Sequence, residues 1–156
     1  MPALRPAPEW RTSRWFNSEQ PLSLADFRGR GIALHAFQML CPGCVQHGLP
    51  QAQRIARLFD ASKVAVIGLH TVFEHHAAMT SDALAAFIHE YRLSFPIGID
   101  TPADSGSIPL TMAAYAMQGT PTLVLIDRAG QLRKQSFGVE DDMRVGADIA
   151  FLLAER

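Results

Sequence analysis

Both cysteines of the chain lie in the stretch HAFQMLCPGCVQHGLP, residues 35–50. Pro-Gly separates Cys41 from Cys44, and the mostly apolar run IALHAF at residues 32–37 comes shortly before them. Such a run is typical of a buried strand, while the apolar spacing over residues 42–59 predicts a helix. The stretch therefore predicts a buried strand that leads into a helix, with the first cysteine at the helix start.

The position of the cysteine pair favours redox chemistry. A helix start carries unpaired N–H groups and partial positive charge, and both stabilise the thiolate of Cys41. Pro42 suits the first helical turn, where its missing N–H is not needed. Cys44 lies about one turn further on the same side, within reach of a mixed disulfide formed by Cys41. The spacing predicts Cys41 as the nucleophile and Cys44 as the resolving thiol.

Composition indicates one globular domain. The chain has 156 residues, of which 48% are hydrophobic and 19% charged, enough to form a single core. A disulfide across so short a loop constrains the unfolded chain very little, so structural stapling explains the pair poorly. The formal net charge is -1 and no basic run is present, which argues against a nucleic-acid partner.

Targeting signals are absent from the sequence as written. No stretch approaches the roughly 18 apolar residues of a membrane span, and residues 1–15 lack the apolar core of a signal peptide. We therefore expect no membrane span and a cytoplasmic protein. If a leader had been removed from a longer precursor, the location would instead be periplasmic or membrane-anchored.

The remaining pattern predicts an α/β fold with a central mixed sheet flanked by helices. Residues 1–9, rich in Pro and Ala, are predicted to form a loose arm, and residues 10–156 a single domain. Pro50 removes a hydrogen bond within the first helix and predicts a kink there. The other predicted elements are short strands at 10–16 and 21–27, strands at 63–69 and 95–100, a hairpin of 122–126 with 131–137, and helices at 81–93 (N-cap Ser81), 110–117 and 141–153.

Four segments carry a family resemblance. They read PLSLADFRGRGIALHAFQMLCPGC, VAVIGL, FPIGID and GTPTLVLIDRAGQL. With these segments the chain resembles the thioredoxin-fold thiol-disulfide oxidoreductases, most closely the TlpA/ResA-like or redoxin branch of the AhpC-TSA superfamily. The resemblance implies a thioredoxin-like fold with an N-terminal β-extension and an inserted segment between the second core strand and the hairpin. It also implies that Pro121 of GTPT is a cis-proline facing the cysteines, and that the Thr120 backbone contacts the substrate.

The implied activity is exchange of dithiol and disulfide through Cys41-Pro42-Gly43-Cys44, which needs no metal or organic cofactor. The partners are then a protein or small-molecule disulfide or thiol and an upstream electron donor that the sequence does not identify. The chain departs from the family at Leu40, where many members have Trp, and at His35, where thioredoxins have a buried Asp. His35 either replaces that acid as a proton relay or is a silent buried imidazole.

Glu74 is the candidate for a carboxylate that TlpA/ResA-like proteins often place near the disulfide. Its alternative interpretation is a solvated loop residue.

Three other functions compete with this interpretation. A peroxiredoxin-like thiol peroxidase shares the fold, but its motif needs Thr three residues before the reactive cysteine, where Gln38 stands. A zinc site could use the cysteines with His47, or the cluster His70, Glu74, His75 and His76. The cysteines would need two further ligands held tetrahedrally, and the adjacent His75 and His76 would point apart on a regular element. A catalytically idle interaction domain is the third, and the retained cysteine pair argues against it.

Overall fold

The computed structural model describes residues 4–156 as seven strands, four α-helices, a 3₁₀ helix and a π-helical turn. The strands are β1 (Arg5–Pro6), β2 (Thr12–Phe16), β3 (Gly31–Phe37), β4 (Val64–His70), β5 (Ile97–Asp100), β6 (Thr122–Ile126) and β7 (Gln131–Phe137). The helices are α1 (Leu49–Leu58), α2 (Ser81–Glu90), α3 (Leu110–Ala114) and α4 (Asp142–Ala154). The 3₁₀ helix spans Leu24–Phe27 and the π-helical turn spans Cys44–Gly48.

All seven strands belong to one mixed sheet, in the order β1-β7-β6-β3-β4-β5-β2. β3, β4 and β5 are parallel, while β6 is antiparallel to β3 and forms a hairpin with β7. β1 and β2 add antiparallel edges. The predicted mixed sheet and the predicted hairpin of residues 122–126 with 131–137 are therefore confirmed.

The central strand β3 places its side chains into two separate cores. Alternate residues of a strand point to opposite faces, and all seven residues of β3 are buried. Ala33 and Phe37 pack with α1, α2 and α4, whereas Leu34 and Ala36 pack with α3 and the 3₁₀ helix. His35 lies two residues from both Ala33 and Phe37, so its side chain points to the same face of the sheet, the one that carries α1. Within the described part of the chain, no helix is long and apolar enough to cross a membrane.

The prediction of a loose arm over residues 1–9 is wrong for residues 4–9, the part of this segment that the structure describes. β1 pairs with β7 through Arg5 and Pro6, and Tyr115 Oη donates to the Pro8 carbonyl at 2.6 Å. The segment is held because the free edge of β7 offers unpaired backbone groups. Residues 1–3 lie outside the described residues, and the single domain over residues 10–156 stays a prediction.

The strand predicted at residues 21–27 is also wrong, because its second half forms the 3₁₀ helix. The Ser23 N–H donates to Asp26 Oδ2 at 2.8 Å, which favours a tight turn over an extended chain. Leu24 and Phe27 are both buried. Their separation of three residues matches the repeat of a 3₁₀ helix, so both side chains reach the same core.

Helix α2 begins at Ser81, but its N-cap is Thr80 rather than the predicted Ser81. Thr80 has extended backbone angles, and its hydroxyl accepts from the Ala83 N–H at 3.1 Å. Two adjacent hydroxyl residues leave the cap position open in the sequence, and the geometry of the incoming chain selects the first.

Candidate active site

The two cysteines lie where β3 passes into the first helical turn. The Val45 N–H donates to the Cys41 carbonyl at 3.0 Å, so the helical turn begins directly after Cys41. The two cysteines form a disulfide with their Cα atoms 5.2 Å apart. Cys41 is partly exposed, whereas Cys44 is completely buried. Only the first sulfur is therefore accessible to a partner molecule.

The sulfur of Cys41 has two backbone neighbours. The Cys44 N–H donates to Cys41 Sγ at 3.2 Å, and the Thr120 carbonyl oxygen lies 3.6 Å from the same sulfur. A backbone N–H directed at a sulfur stabilises negative charge on it. The geometry favours a thiolate at Cys41 once the disulfide is reduced.

The helix after the cysteines differs from the predicted continuous helix with a proline kink. The irregularity precedes Pro50 and takes the form of the π-helical turn, in which the Leu49 N–H donates to the Cys44 carbonyl five residues back. Pro50 has no N–H to donate, and it stands in the first turn of α1, where none is required. The wider turn brings Gly48 towards the loop of residues 119–121.

Pro121 follows a cis peptide bond, as the resemblance implied. Its ring packs against the cysteine segment: a Cβ atom at Gly43 would lie 3.3 Å from Pro121 Cδ, and one at Gly48 would lie 3.0 Å from Pro121 Cβ. Both positions suit glycine because a side chain would press on the ring. The Pro121 carbonyl accepts from the Gly138 N–H at 2.8 Å, which ties this loop to the end of β7.

His35 lies on the α1 face of β3 and is 3% exposed. Burial in apolar surroundings lowers its pKa to about 4, so the imidazole is neutral at pH 7. Within residues 4–156, its Nε2 atom is buried and has no hydrogen-bond partner. The side chain lines a cavity of about 270 Å³ whose wall includes Gly48, Gln51 and Pro121. The structure thus places a neutral imidazole on the wall of a cavity that it shares with Pro121.

A family model described as Redoxin matches residues 3–149. The chain belongs to the Redoxin family. A solved structure described as the thioredoxin-like superfamily protein SPOA0173 is 57% identical, covers 99% of both chains and superposes with a TM-score of 0.96. A second, described as a thiol-disulfide isomerase from Corynebacterium glutamicum, is 46% identical over 97% of both chains, with a TM-score of 0.93. The predicted thioredoxin-like fold and redoxin resemblance are confirmed.

Curated relatives of this Redoxin chain are more distant. Among them is the thiol-disulfide oxidoreductase ResA of Bacillus cereus strain ATCC 10987, 28% identical over 117 residues. The match covers 75% of this chain, and the chain spans about 60% of the length of the relative. A similar match, 26% identical, is to the protein of the same description from Bacillus anthracis.

Glu74 lies in the loop after β4 of this Redoxin chain and is exposed. None of the hydrogen bonds or ion pairs found within residues 4–156 joins its carboxylate to the cysteine segment. Glu74 is thus exposed in the structure, and its role in proton transfer stays a prediction.

The sequence reasoning missed the roles of Gln38 and His70. Gln38 is 1% exposed, and its Oε1 accepts from the Phe73 N–H at 3.1 Å. His70 is 1% exposed, and its Nε2 accepts from the Met39 N–H at 3.4 Å. Parallel pairing of β3 and β4 sets Phe37 beside His70, and this register is the signal that leads to His70. The sequence by itself offers His70 only as a member of a possible metal cluster.

Metal-ligating side chains are scattered in the structure. His47, His75 and His76 are exposed, and His76 contacts the Ser107 carbonyl. Within residues 4–156, no group of three or more His, Cys, Asp or Glu side chains is arranged to hold a metal ion. The two cysteines are bonded to each other.

Proposed function

We propose that this chain is a thiol-disulfide oxidoreductase in which Cys41 is the nucleophile and Cys44 the resolving thiol. The observation that carries the proposal is the asymmetry of the pair: one sulfur is accessible and faces the Cys44 N–H, while the other is buried one turn behind it. Family membership and the printed names of the relatives support it, since those names describe thiol-disulfide oxidoreductases and an isomerase.

Reduction of the substrate involves only the two cysteine thiols and a substrate disulfide. The Cys41 thiolate attacks one substrate sulfur, forming a mixed disulfide and releasing the other sulfur as a thiolate. The Cys44 thiolate then attacks Cys41 Sγ, which releases the second substrate thiolate and leaves the Cys41–Cys44 disulfide. Two electrons pass to the substrate, and a dithiol donor restores the reduced pair. Run backwards, the same steps oxidise a substrate dithiol.

Thr120 and Pro121 form the proposed docking site for the substrate. The Thr120 carbonyl lies 3.6 Å from Cys41 Sγ, so a peptide held along this residue would have its disulfide beside the nucleophile. The backbone N–H and C=O of Thr120 are suited to pair with an extended peptide, as an added strand does. Pro42 and Gly43 complete the surface, with Gly43 in contact with the Pro121 ring.

His35 is the proposed proton relay. Resolution requires the buried Cys44 to lose its proton, and burial in apolar surroundings opposes a thiolate there. The imidazole of His35 is neutral at pH 7, because burial lowers its pKa to about 4, and its Nε2 is buried without a partner among residues 4–156. The same burial makes the imidazole a weak base, so it accepts the proton only as the Cys44 sulfur attacks, and the proton leaves through the cavity that His35 lines. The proposal assigns no role to Glu74.

The test is reduction of a peptide disulfide with dithiothreitol as the electron donor. Cys41→Ser removes the nucleophile and is expected to abolish turnover, whereas Cys44→Ser is expected to accumulate a mixed disulfide through Cys41 that mass spectrometry detects. Turnover by Cys41→Ser at the wild-type rate would overturn the assignment. Rapid turnover of hydrogen peroxide with no disulfide exchange would favour the peroxidase interpretation instead.

A further inference from the structure

The segment that joins β3 to the cysteines is held by hydrogen bonds from the segment that follows β4. The Thr71 N–H donates to the Phe37 carbonyl at 3.1 Å, and the Phe73 N–H donates to Gln38 Oε1 at 3.1 Å. In the opposite direction, the Met39 N–H donates to His70 Nε2 at 3.4 Å. We call these three bonds the clasp. They fix three consecutive residues, 37 to 39, immediately before Leu40 and Cys41.

The side chains that accept in the clasp are buried, although the donor residues Met39 and Phe73 are only partly buried. Gln38, His70 and Thr71 are each 1% exposed or less, so a polar group that lost its partner here would stay unsatisfied. The His70 ring also packs against the Phe37 ring, with centroids 5.1 Å apart. This contact holds the imidazole in the plane that directs Nε2 at the Met39 N–H.

The hydrogen bond to Met39 defines the tautomer of His70. A neutral imidazole has one donor nitrogen and one acceptor nitrogen, so acceptance at Nε2 places the proton on Nδ1. Burial lowers the pKa of His70 to about 4, which keeps the ring neutral, and Nε2 able to accept, across the pH range of thiol exchange. The acceptor is therefore constant while the cysteines titrate.

We propose that His70 is a positioning residue for the disulfide exchange, holding the backbone of Met39 so that Cys41 Sγ stays aligned with the Cys44 N–H and the Thr120 carbonyl. The inference rests on the proposed function of the cysteine pair. Two peptide units separate the Met39 nitrogen from Cys41, and Leu40 between them is 55% exposed, so packing of Leu40 does little to hold this link. The clasp is the nearest rigid support that the sheet offers to the nucleophile.

The hydrogen bond from the Cys44 N–H to Cys41 Sγ depends on the position of the Cys41 backbone, which the clasp supports. The Cys44 N–H lies 3.2 Å from Cys41 Sγ, and hydrogen bonds weaken steeply as the donor moves away or out of line. A loosened Met39 allows the Cys41 backbone to shift, and the thiolate then loses part of the stabilisation from that N–H. The expected consequence is a higher pKa of the Cys41 thiol and a slower first attack.

Two substitutions at one position separate hydrogen bonding from packing. His70→Phe keeps a ring against Phe37 and removes the acceptor, whereas His70→Gln places an amide oxygen near the site of Nε2. We expect His70→Phe to raise the pKa of the Cys41 thiol, followed by thiolate absorbance, by about one unit and to slow peptide-disulfide reduction about tenfold. His70→Gln is expected to restore most of both.

The matched control is Tyr115→Phe, which removes the bond to the Pro8 carbonyl. Tyr115 is 2% exposed and packs in the core on the opposite face of the sheet. This variant is expected to lose stability comparably while the Cys41 pKa and the exchange rate keep their wild-type values. If it changes the pKa as His70→Phe does, the effect reflects general destabilisation and the proposal is overturned.

A measurement on the unaltered protein tests the hydrogen bond from Met39 to His70 even if His70→Phe does not fold. The ¹⁵N chemical shifts of the His70 ring are expected to show Nδ1 protonated and Nε2 as the acceptor. A proton on Nε2 would rule out the bond from Met39 and with it the positioning role. Wild-type exchange activity together with an unchanged Cys41 pKa in His70→Phe would overturn only this inference, whereas absence of exchange in the wild type would overturn the proposed function itself.

Discussion

The Pro121 ring lies directly against Gly48: a methyl group at Gly48 would be 3.0 Å from Pro121 Cβ. The loop that carries the cis-proline and the helix that carries the cysteines therefore touch with no room for a side chain. The contact sets how far Thr120 stands from Cys41, since Thr120 immediately precedes the ring. Substitution of this glycine is a direct way to move one half of the site relative to the other.

Gly48→Ala is expected to slow peptide-disulfide reduction about tenfold, because the added methyl pushes Pro121 and displaces the Thr120 carbonyl from Cys41 Sγ. The matched control is Gly146→Ala in α4, where a Cβ atom has nothing within 4 Å. In the control, alanine stabilises the helix by about 1 kcal/mol and leaves the rate unchanged. Equal rates in both variants would contradict a tight contact at Gly48.

His35→Leu is expected to slow the second step of the exchange and not the first. The buried Cys44 thiol then lacks a neutral base, so the mixed disulfide accumulates at pH 7 and its resolution slows about a hundredfold. Acid quenching followed by mass spectrometry measures the intermediate. Raising the pH towards the pKa of the thiol restores resolution, because Cys44 then ionises without help. Resolution at the wild-type rate at pH 7 would show that His35 is not the relay.

Stability is expected to fall as the pH decreases from 6.5 to 4. Burial lowers the pKa of both His35 and His70 to about 4 in the folded state, against 6.5 for a free imidazole. In this window the unfolded chain binds more protons, so acidification favours unfolding. The contribution is complete above pH 6.5, and its loss reaches about 3 kcal/mol for each ring by pH 4.

Urea denaturation of the oxidised protein at several pH values measures this effect, with the cysteines held out of the titration. His35→Leu is expected to remove about half of the decrease in the free energy of unfolding, and His70→Gln the other half. A free energy of unfolding that stays constant between pH 7 and 4 would mean that neither imidazole is buried in its neutral form.

Asn17 is expected to contribute to stability without affecting the chemistry. Its backbone has φ 58°, a left-handed conformation that Asn tolerates better than most residues. Its Nδ2 donates to the Leu93 and Phe95 carbonyls at 2.8 and 3.0 Å. Asn17→Ala is expected to lower the free energy of unfolding, measured by urea denaturation, by about 2 kcal/mol. Asn17→Gly, which adopts the left-handed conformation freely, is expected to lower it less. A change in exchange rate would contradict the separation of this turn from the site.

The elements that periodicity predicted well are those with one dominant local cause. β3 and β4 are continuous apolar runs buried on both sides, and only a central strand explains such runs in a chain with alternating helices. The hairpin of β6 and β7 follows from the turn DRAG between two strand patterns. The errors at residues 5–8 and 21–27 have a different origin, because there the free edge of β7 and a shared core, both remote in sequence, decide the conformation.

The site divides in the same way. By itself, the sequence determined the CxxC cysteine pair, its place after a buried strand, the family and the loop with the cis-proline, because each of these follows from neighbouring residues or from a motif. Only the tertiary structure decided that Glu74 is exposed, that the Pro121 ring packs against Gly48, and that His70 accepts a hydrogen bond from the Met39 N–H. The physical reason is that burial and hydrogen-bond partners across parallel strands depend on register, which joins residues thirty or more positions apart.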